Sequence, residues 1–483
     1  MRIRQFIKDF MQRPGPVYAR GGGLVASEKL QQEYQRIRQH LLQHSSDGIV
    51  ALCLEKDYRY LLCLLACMEI GLTYIPLRKE WPASRVEQIR HLSGFTMLLT
   101  DEMIESILAG QLELVSGEGF AIAPEKPLYI MFTSGTTGEP KGAVIERRSY
   151  ENFLDWLAEY FPGITAEDRV LNSTDYTFDV SLVDIGLLLV KRPHFFLSDF
   201  RDDFFRLLGE LDAYRISVIA TVPNNFSMML SDRLAGRANL SPLRHVLIAG
   251  SRFPFSLYKA FRKHLPQAHV YNCYGPTEAT IYCIAKALSM DETADLVGQN
   301  VSIGTSIRGC DVLLLDQELR PVAPNQEGEI YIGGVQLMRS YLNNASETER
   351  SLCVIRDRRY YRSGDLAFRD DKGELYVIGR ADDTIKISGQ RVNLSDVEAY
   401  AQRFDYINGA AIVAIPHEHK EYLMHLFVVL NRAREPYEIL ADLKGVLLKH
   451  QLPHKIKVLD NFPLNNSGKI CKKTLMAAYC PVD

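Results

Sequence analysis

Short apolar runs alternate along this chain with longer stretches in which apolar residues recur every three or four positions. The runs 49–54, 129–133, 218–222, 246–249 and 270–274 read as buried strands. Helical spacing fills 27–43, 204–214 and 255–265. Near the start, Ile3, Ile7, Phe10 and Met11 fall on one helical face and predict a short packing helix. The stretch 60–77 carries Glu69 as its sole charge and is of borderline length for a membrane span. Gly71 and Pro76 punctuate it and 72–77 is rich in strand formers, so it reads as a buried helix, a glycine stop and a strand. Such alternation, sustained to about residue 380, predicts parallel sheets covered by helices.

The texture then changes. Over 312–332, strands joined by Pro, Asn and Gly predict a β-rich subdomain. After Gly379-Arg380, about a hundred residues carry an acidic helix (395–404), two strands (411–415 and 425–430) and another helix (437–450). The expected architecture is α/β: a large N-terminal domain (1–381) and a small α+β C-terminal domain (382–483) joined by a hinge.

Composition narrows the function. A length of 483 residues suits two or more domains, and 47% hydrophobic with 24% charged residues fits a soluble globular protein. The formal net charge is −3, without the basic footprint of a nucleic-acid-binding chain. The nine cysteines are scattered and odd in number. Cys63 and Cys67 share a helix face but have no second pair at zinc-ligand spacing, so they read as packing. Reduced thiols and charges interrupting the N-terminal apolar pattern predict a cytoplasmic protein without a signal peptide. A monomer is the default expectation.

The strongest local signal is Tyr129-Ile-Met-Phe-Thr-Ser-Gly-Thr-Thr-Gly-Glu-Pro-Lys-Gly142, a strand running into a loop of glycines and hydroxyls that ends at Lys141. Backbone amides freed by glycine, hydroxyl donors and a cation suit a polyphosphate. The spacing is not that of a Walker loop. The loop resembles the phosphate loop of the adenylate-forming superfamily, which contains acyl-CoA synthetases, adenylation domains of non-ribosomal peptide synthetases, and luciferases. The resemblance recurs in order: Gly71-Leu-Thr-Tyr-Ile-Pro-Leu77, Asn272-Cys-Tyr-Gly-Pro-Thr-Glu278, Gly328-Glu-Ile-Tyr-Ile-Gly-Gly334, Tyr361-Arg-Ser-Gly-Asp-Leu366, Gly379-Arg-Ala-Asp-Asp-Thr-Ile-Lys-Ile-Ser-Gly-Gln-Arg391 and Asn465-Asn-Ser-Gly-Lys469.

That resemblance implies attack of a carboxylate on the α-phosphate of ATP, with Mg²⁺ and loss of pyrophosphate. It implies phosphate contacts from Thr133, Ser134, Gly135, Thr136, Thr137, Gly138, Lys141 and Thr277, and a metal ligand in Glu278. Asp365 would accept the ribose hydroxyls, with Arg380 nearby and Ala249, Gly250, Ser251, Asn272 and Tyr274 around the adenine. Lys469 would be the catalytic lysine and Asp382 the hinge. After rotation of the C-terminal domain, the turn around Ile387, Ser388 and Gly389 would line the entrance for a pantetheine thiol.

Asp179, within Tyr176-Thr-Phe-Asp-Val-Ser181, matches the Phe-Asp-x-Ser segment whose carboxylate pairs with a substrate α-amino group in amino-acid-activating members. The remaining pocket positions are Val180, Val183, Thr221, Leu247, Ala249, Cys273, Ile281 and Tyr282. None is charged, which implies a neutral, small to medium amino acid, with proline, alanine and valine as candidates. The chain lacks a phosphopantetheine attachment motif after Lys469, so the implied acceptor is a separate carrier protein, as in stand-alone D-alanine–carrier protein ligases. The alternatives are an acyl- or aryl-CoA synthetase and an inactive binding module. Departures from the common motifs are Ser340 for glycine, Ser363 for threonine, Asn393 for glutamate, and Lys472 and Lys473 where arginine is frequent.

Overall fold

The computed structural model describes residues 2–45, 48–110, 119–120, 122–133, 140–198, 203–230, 236–251, 253, 255–291, 293–298, 300–380, 384–387, 389–417, 421–430, 432–463, 470 and 472–479. The chain divides into two compact units. The first comprises Met1–Glu80, Arg90–Phe132 and Gly142–Gly379; the second comprises Trp81–Ile89, Thr133–Lys141 and Arg380–Asp483.

Three sheets organise the first unit. One has the strand order Ser340–Tyr341, Lys141–Glu146, Pro127–Thr133, Thr73–Pro76, Ile49–Cys53, Met97–Thr100. Its last four strands pair in parallel. A nine-stranded sheet has at its centre the parallel strands His269–Tyr274, His245–Ile248, Val218–Thr221, Arg169–Asn172 and His194–Leu197. Strand Ile284–Ala287 joins it antiparallel to His269–Tyr274. The third sheet is the expected β-rich subdomain, antiparallel throughout Cys310–Leu315, Gly328–Gly334, Arg358–Arg369 and Leu352–Ile355.

Helix Tyr58–Ile70 shows why the apolar stretch is a core element. Every residue in it except Arg59 is buried, so it carries no polar face. Gly71 ends it in the left-handed region (φ 87°), with its N–H and that of Leu72 both donating to the Cys67 carbonyl. Strand Thr73–Pro76 follows at once. The lone charge is neutralised locally. Glu69 Oε2 accepts from Tyr34 Oη at 2.5 Å and pairs with Arg38 Nε at 2.9 Å. Cys63 and Cys67 are fully buried, and burial pushes both thiols well up from their ordinary range. Among the described residues, no helix is long and apolar enough to cross a membrane.

The second unit holds a three-stranded sheet, Ile407–Pro416 antiparallel to Tyr422–Leu430, with Lys455–Val458 added in parallel. Helices Leu394–Ala401, Pro436–Lys444 and Lys472–Tyr479 accompany it. Lys472 pairs with Glu398 at 3.0 Å. The helix expected over 437–450 stops at Lys444, where the Gly445 and Val446 N–H groups tighten to the carbonyls three residues back, and the chain re-forms only a short 3₁₀ turn at Lys449–Gln451.

The pairing at Glu69 gives a stability prediction. Arg38→Met leaves a buried carboxylate short of its cation and lowers the unfolding free energy by about 3–5 kcal/mol, read from the urea midpoint. Adding Glu69→Met to that variant recovers most of the loss. A single variant as stable as the parent contradicts this account.

Candidate active site

The carboxyl ends of parallel strands are where α/β sheets place their ligands, and several residues expected to line the pocket lie there. Thr221, Leu247 and Cys273 lie at the ends of three adjacent strands, and Ala249 directly follows one of them; all four are buried. Thr221 Oγ1 accepts from Asn225 at 2.8 Å, and Ala249 N–H donates to the Thr221 carbonyl. Gly250 adopts φ 95°, and Ser251 Oγ is buried without a partner.

Asp179 sits two residues before helix Ser181–Lys191 and is 8% exposed. The Thr277 hydroxyl and the Ile281 and Val180 N–H groups lie near enough to favour its ionised form, yet among the described residues its buried Oδ2 has no hydrogen-bond partner. Burial is the main reason its carboxyl is pushed up to about 6, with a further push from Glu278. Val183 is fully buried one turn into the helix. Its neighbour Asp184 accepts from Asn172 at 3.0 Å and is pushed by burial to about 8, so it is neutral at pH 7.

Two of these groups, Thr277 and Ile281, lie in an unusual turn. After strand His269–Tyr274 the chain passes through Gly275, where a Cβ would lie 2.2 Å from the Ile281 carbonyl oxygen. A 3₁₀ turn, Thr277–Ala279, follows. Thr280 (φ 56°) and Ile281 (φ 71°) then both occupy the left-handed region. For two β-branched residues this costs roughly 1–3 kcal/mol each. The conformation sets the Ile281 N–H near Asp179, where it favours the ionised carboxylate, and brings Tyr282, fully buried, back toward strand Ile284–Ala287.

Glu278, in the same turn, is buried. Its Oε1 accepts from Tyr341 Oη at 2.6 Å and its carbonyl from Met338 N–H at 2.7 Å. At the turn's start, Tyr274 Oη donates to Asp365 Oδ2 at 2.5 Å. Burial and the Asp365 charge raise that phenol well above its ordinary value. Asp365 N–H donates to Ser363 Oγ at 3.0 Å, while Glu329 accepts from Arg362 Nε and Gly364 N–H. Asn272 donates its amide to the Ser302 carbonyl at 2.9 Å.

In the second unit, Thr133 Oγ1 lies 3.5 Å from the Lys141 carbonyl, and the Lys141 side chain is buried. Ser134, Gly135, Thr136, Thr137, Gly138, Asp382 and Lys469 lie outside the described residues, as does the side chain of Arg380. Among the described residues, no group of three His, Cys, Asp or Glu side chains is placed to hold a metal.

A family model described as AMP-binding enzyme matches residues 28–342. The chain belongs to the AMP-binding enzyme family. It is 27% identical over 449 residues to a D-alanine--D-alanyl carrier protein ligase of Bacillus licheniformis, a match covering 85% of each chain. It is 28% identical over 471 residues to polyketide synthase PksN of Bacillus subtilis. That match covers 90% of this chain but only 8% of the much longer synthase. Among solved structures, o-succinylbenzoate CoA synthetase of Bacillus subtilis superimposes with a TM-score of 0.84. The overlap covers 98% of both chains at 22% identity, a likeness of fold. The chain is therefore an adenylate-forming enzyme, with the α/β fold and β-rich subdomain of its relatives.

Within this AMP-binding enzyme, two supporting residues went unassigned in the sequence. Tyr341 lies in a motif but carried no role there; Gln336, considered below, had no signal at all.

The raised carboxyl of Asp179 makes a pH prediction with a definite sign. The folded state holds this proton more tightly than the unfolded chain, so its contribution favours folding below about pH 4 and is lost as pH climbs to about 6. Asp179→Asn should thus gain stability relative to the parent across that window, by about 3 kcal/mol in total, and gain nothing more above it. The readout is the pH dependence of the difference in denaturant midpoints. A pH-independent difference contradicts it.

Proposed function

We propose that this protein activates a neutral, small to medium-sized amino acid with ATP and passes it to the phosphopantetheine thiol of a separate carrier protein. One observation carries the reading: Asp179 is buried, and among the described residues its Oδ2 has no hydrogen-bond partner. An ammonium group entering a largely apolar pocket needs such a carboxylate, and a fatty or aromatic acid does not. Val180, Val183, Thr221, Leu247, Ala249, Cys273, Ile281 and Tyr282 bring no charge with which an acidic or basic side chain could pair. A relative named for ligating D-alanine to a carrier protein, similar over most of both chains, supports the same direction.

In this reading the substrate carboxylate oxygen attacks the α-phosphorus of ATP, and the bond to pyrophosphate breaks. The carrier thiol then attacks the acyl carbonyl, AMP leaves, and the thiol proton passes to solvent. The protein's task is to hold two anions in line and to compensate charge as it moves. Asp365, steadied by Tyr274, accepts the ribose hydroxyls; Ala249, Gly250, Ser251 and Asn272 enclose the base with Tyr274, and Arg380 supports the nucleotide. Thr133, Ser134, Gly135, Thr136, Thr137, Gly138, Lys141 and Thr277 hold the phosphates. Glu278 is a single buried hard-oxygen donor, which fits Mg²⁺ that shares its remaining ligands with phosphate oxygens and water rather than a metal caged by protein. Bound there, Mg²⁺ would neutralise phosphate charge. Lys469 is the proposed catalytic lysine, and Asp382 the hinge for presenting the second conformer to the thiol.

The test is an ATP–pyrophosphate exchange panel over the amino acids of both hands. Alanine, valine or proline should lead, and Asp179→Asn should raise the amino-acid KM at least about a hundredfold while the ATP KM stays within about twofold. Lysine or glutamate leading the panel overturns the side-chain assignment. CoA-thioester formation with a fatty or aromatic acid, and no exchange with amino acids, overturns the substrate class. Separately, Lys469→Ala should abolish adenylate formation with an unchanged thermal midpoint; near-normal exchange removes that lysine from the chemistry.

A further inference from the structure

Gln336 belongs to none of the groups considered above, yet its side chain is fully buried and every polar atom of it is committed. Its Nε2 lies 3.2, 3.0 and 2.9 Å from the carbonyl oxygens of Ala279, Thr280 and Tyr282, so two N–H groups are shared among three acceptors. Its own carbonyl accepts from Thr280 Oγ1 at 2.6 Å. Its Oε1 accepts from Asn152 Nδ2 at 2.9 Å, and Asn152 also donates to the Arg308 carbonyl at 2.8 Å. Among the described residues, no backbone N–H donates to the Ala279, Thr280 or Tyr282 carbonyls. These are the carbonyls of the segment containing the left-handed Thr280 and Ile281.

We propose that Gln336 is a positioning residue for the acid pocket: it pins the left-handed turn that sets Ile281 beside Asp179 and seats Tyr282. The inference rests on the reading that Asp179 receives the substrate amino group. Its physical basis is the cost of that turn. Two β-branched residues at positive φ relax toward the right-handed region unless the surroundings hold them. Buried carbonyls without donors add to the drive to relax. One side chain opposes both. With it gone, the turn relaxes, and Ile281 and Tyr282 shift from their places beside Asp179.

The nucleotide-side supports are separate. Asp365 is held through Tyr274 and Ser363, and Glu329 braces Arg362 and Gly364 on either side of Ser363. Glu278 is held by Tyr341 and Met338. None of these bonds involves Gln336, so the effect of losing it falls on the amino acid and not on ATP.

The experiment is steady-state exchange kinetics on Gln336→Met, which keeps the volume and removes the donors, and on Asn152→Ala, which removes the outer anchor of the same amide. Both are measured with the amino acid that leads the panel for the parent. Gln336→Met should raise the amino-acid KM at least about tenfold with the ATP KM within about twofold; Asn152→Ala should move it the same way by about two- to fivefold. The proposal is overturned if the amino-acid KM of Gln336→Met stays within about twofold of the parent, or if both KM values rise together as a general packing defect would make them. If Gln336→Met does not fold, Asn152→Ala decides alone, and an unchanged amino-acid KM overturns the proposal. Failure of the underlying reading is seen in the parent itself: no exchange with any amino acid overturns both.

Discussion

A carboxylate taken out of water is tolerated only where its surroundings replace the solvent it has lost. Around Asp179, the Thr277 hydroxyl and the Ile281 and Val180 N–H groups offset only part of that loss, and among the described residues Oδ2 has no hydrogen-bond partner. The consequence is a group whose proton leaves only near pH 6 and whose ionised form lacks a partner until one is supplied. The local architecture serves this residue. Helix Ser181–Lys191 begins beside it, three parallel strands end among the residues proposed to line the pocket, and two residues of the nearby turn hold left-handed conformations.

The same short turn also carries Glu278 and begins at Tyr274, so groups with three different tasks share one stretch of backbone. Each is held by its own partner: Asp179 through the turn that Gln336 pins, Glu278 by Tyr341, and Tyr274 by Asp365. On the proposed reading, separate supports would let the acid pocket change without disturbing the nucleotide contacts.

Much of the fold was legible because its cues are local. The run 60–77 resolved into helix, glycine cap and strand because Gly71 tolerates φ 87° and the residues beyond it favour a strand. The buried parallel strands stood out as unbroken apolar runs. Boundaries set by tertiary contacts did not stand out. Strand pair Val17–Tyr18 and Leu24–Val25 is too short for any period to register, and the helix predicted over 437–450 ended early at Gly445. Within the candidate site, Asp179, Glu278 and Asp365 were singled out through motifs. The left-handed Ile281 was unreadable, since its residue type argues against that conformation, and Gln336 lies remote in sequence from the turn it holds. Residue type identifies groups that meet the substrate; the groups that hold them are found only once the chain is folded.

The central claim is that Asp179 selects acids bearing an α-amino group. It is tested most directly by comparing, in the unaltered protein, adenylation of the preferred amino acid with that of its des-amino analogue, the same carbon skeleton with hydrogen in place of the ammonium. The account predicts that kcat/KM falls at least about a hundredfold when the ammonium is removed, as expected when a buried carboxylate is left unpaired. Equal activation of the two acids would contradict it.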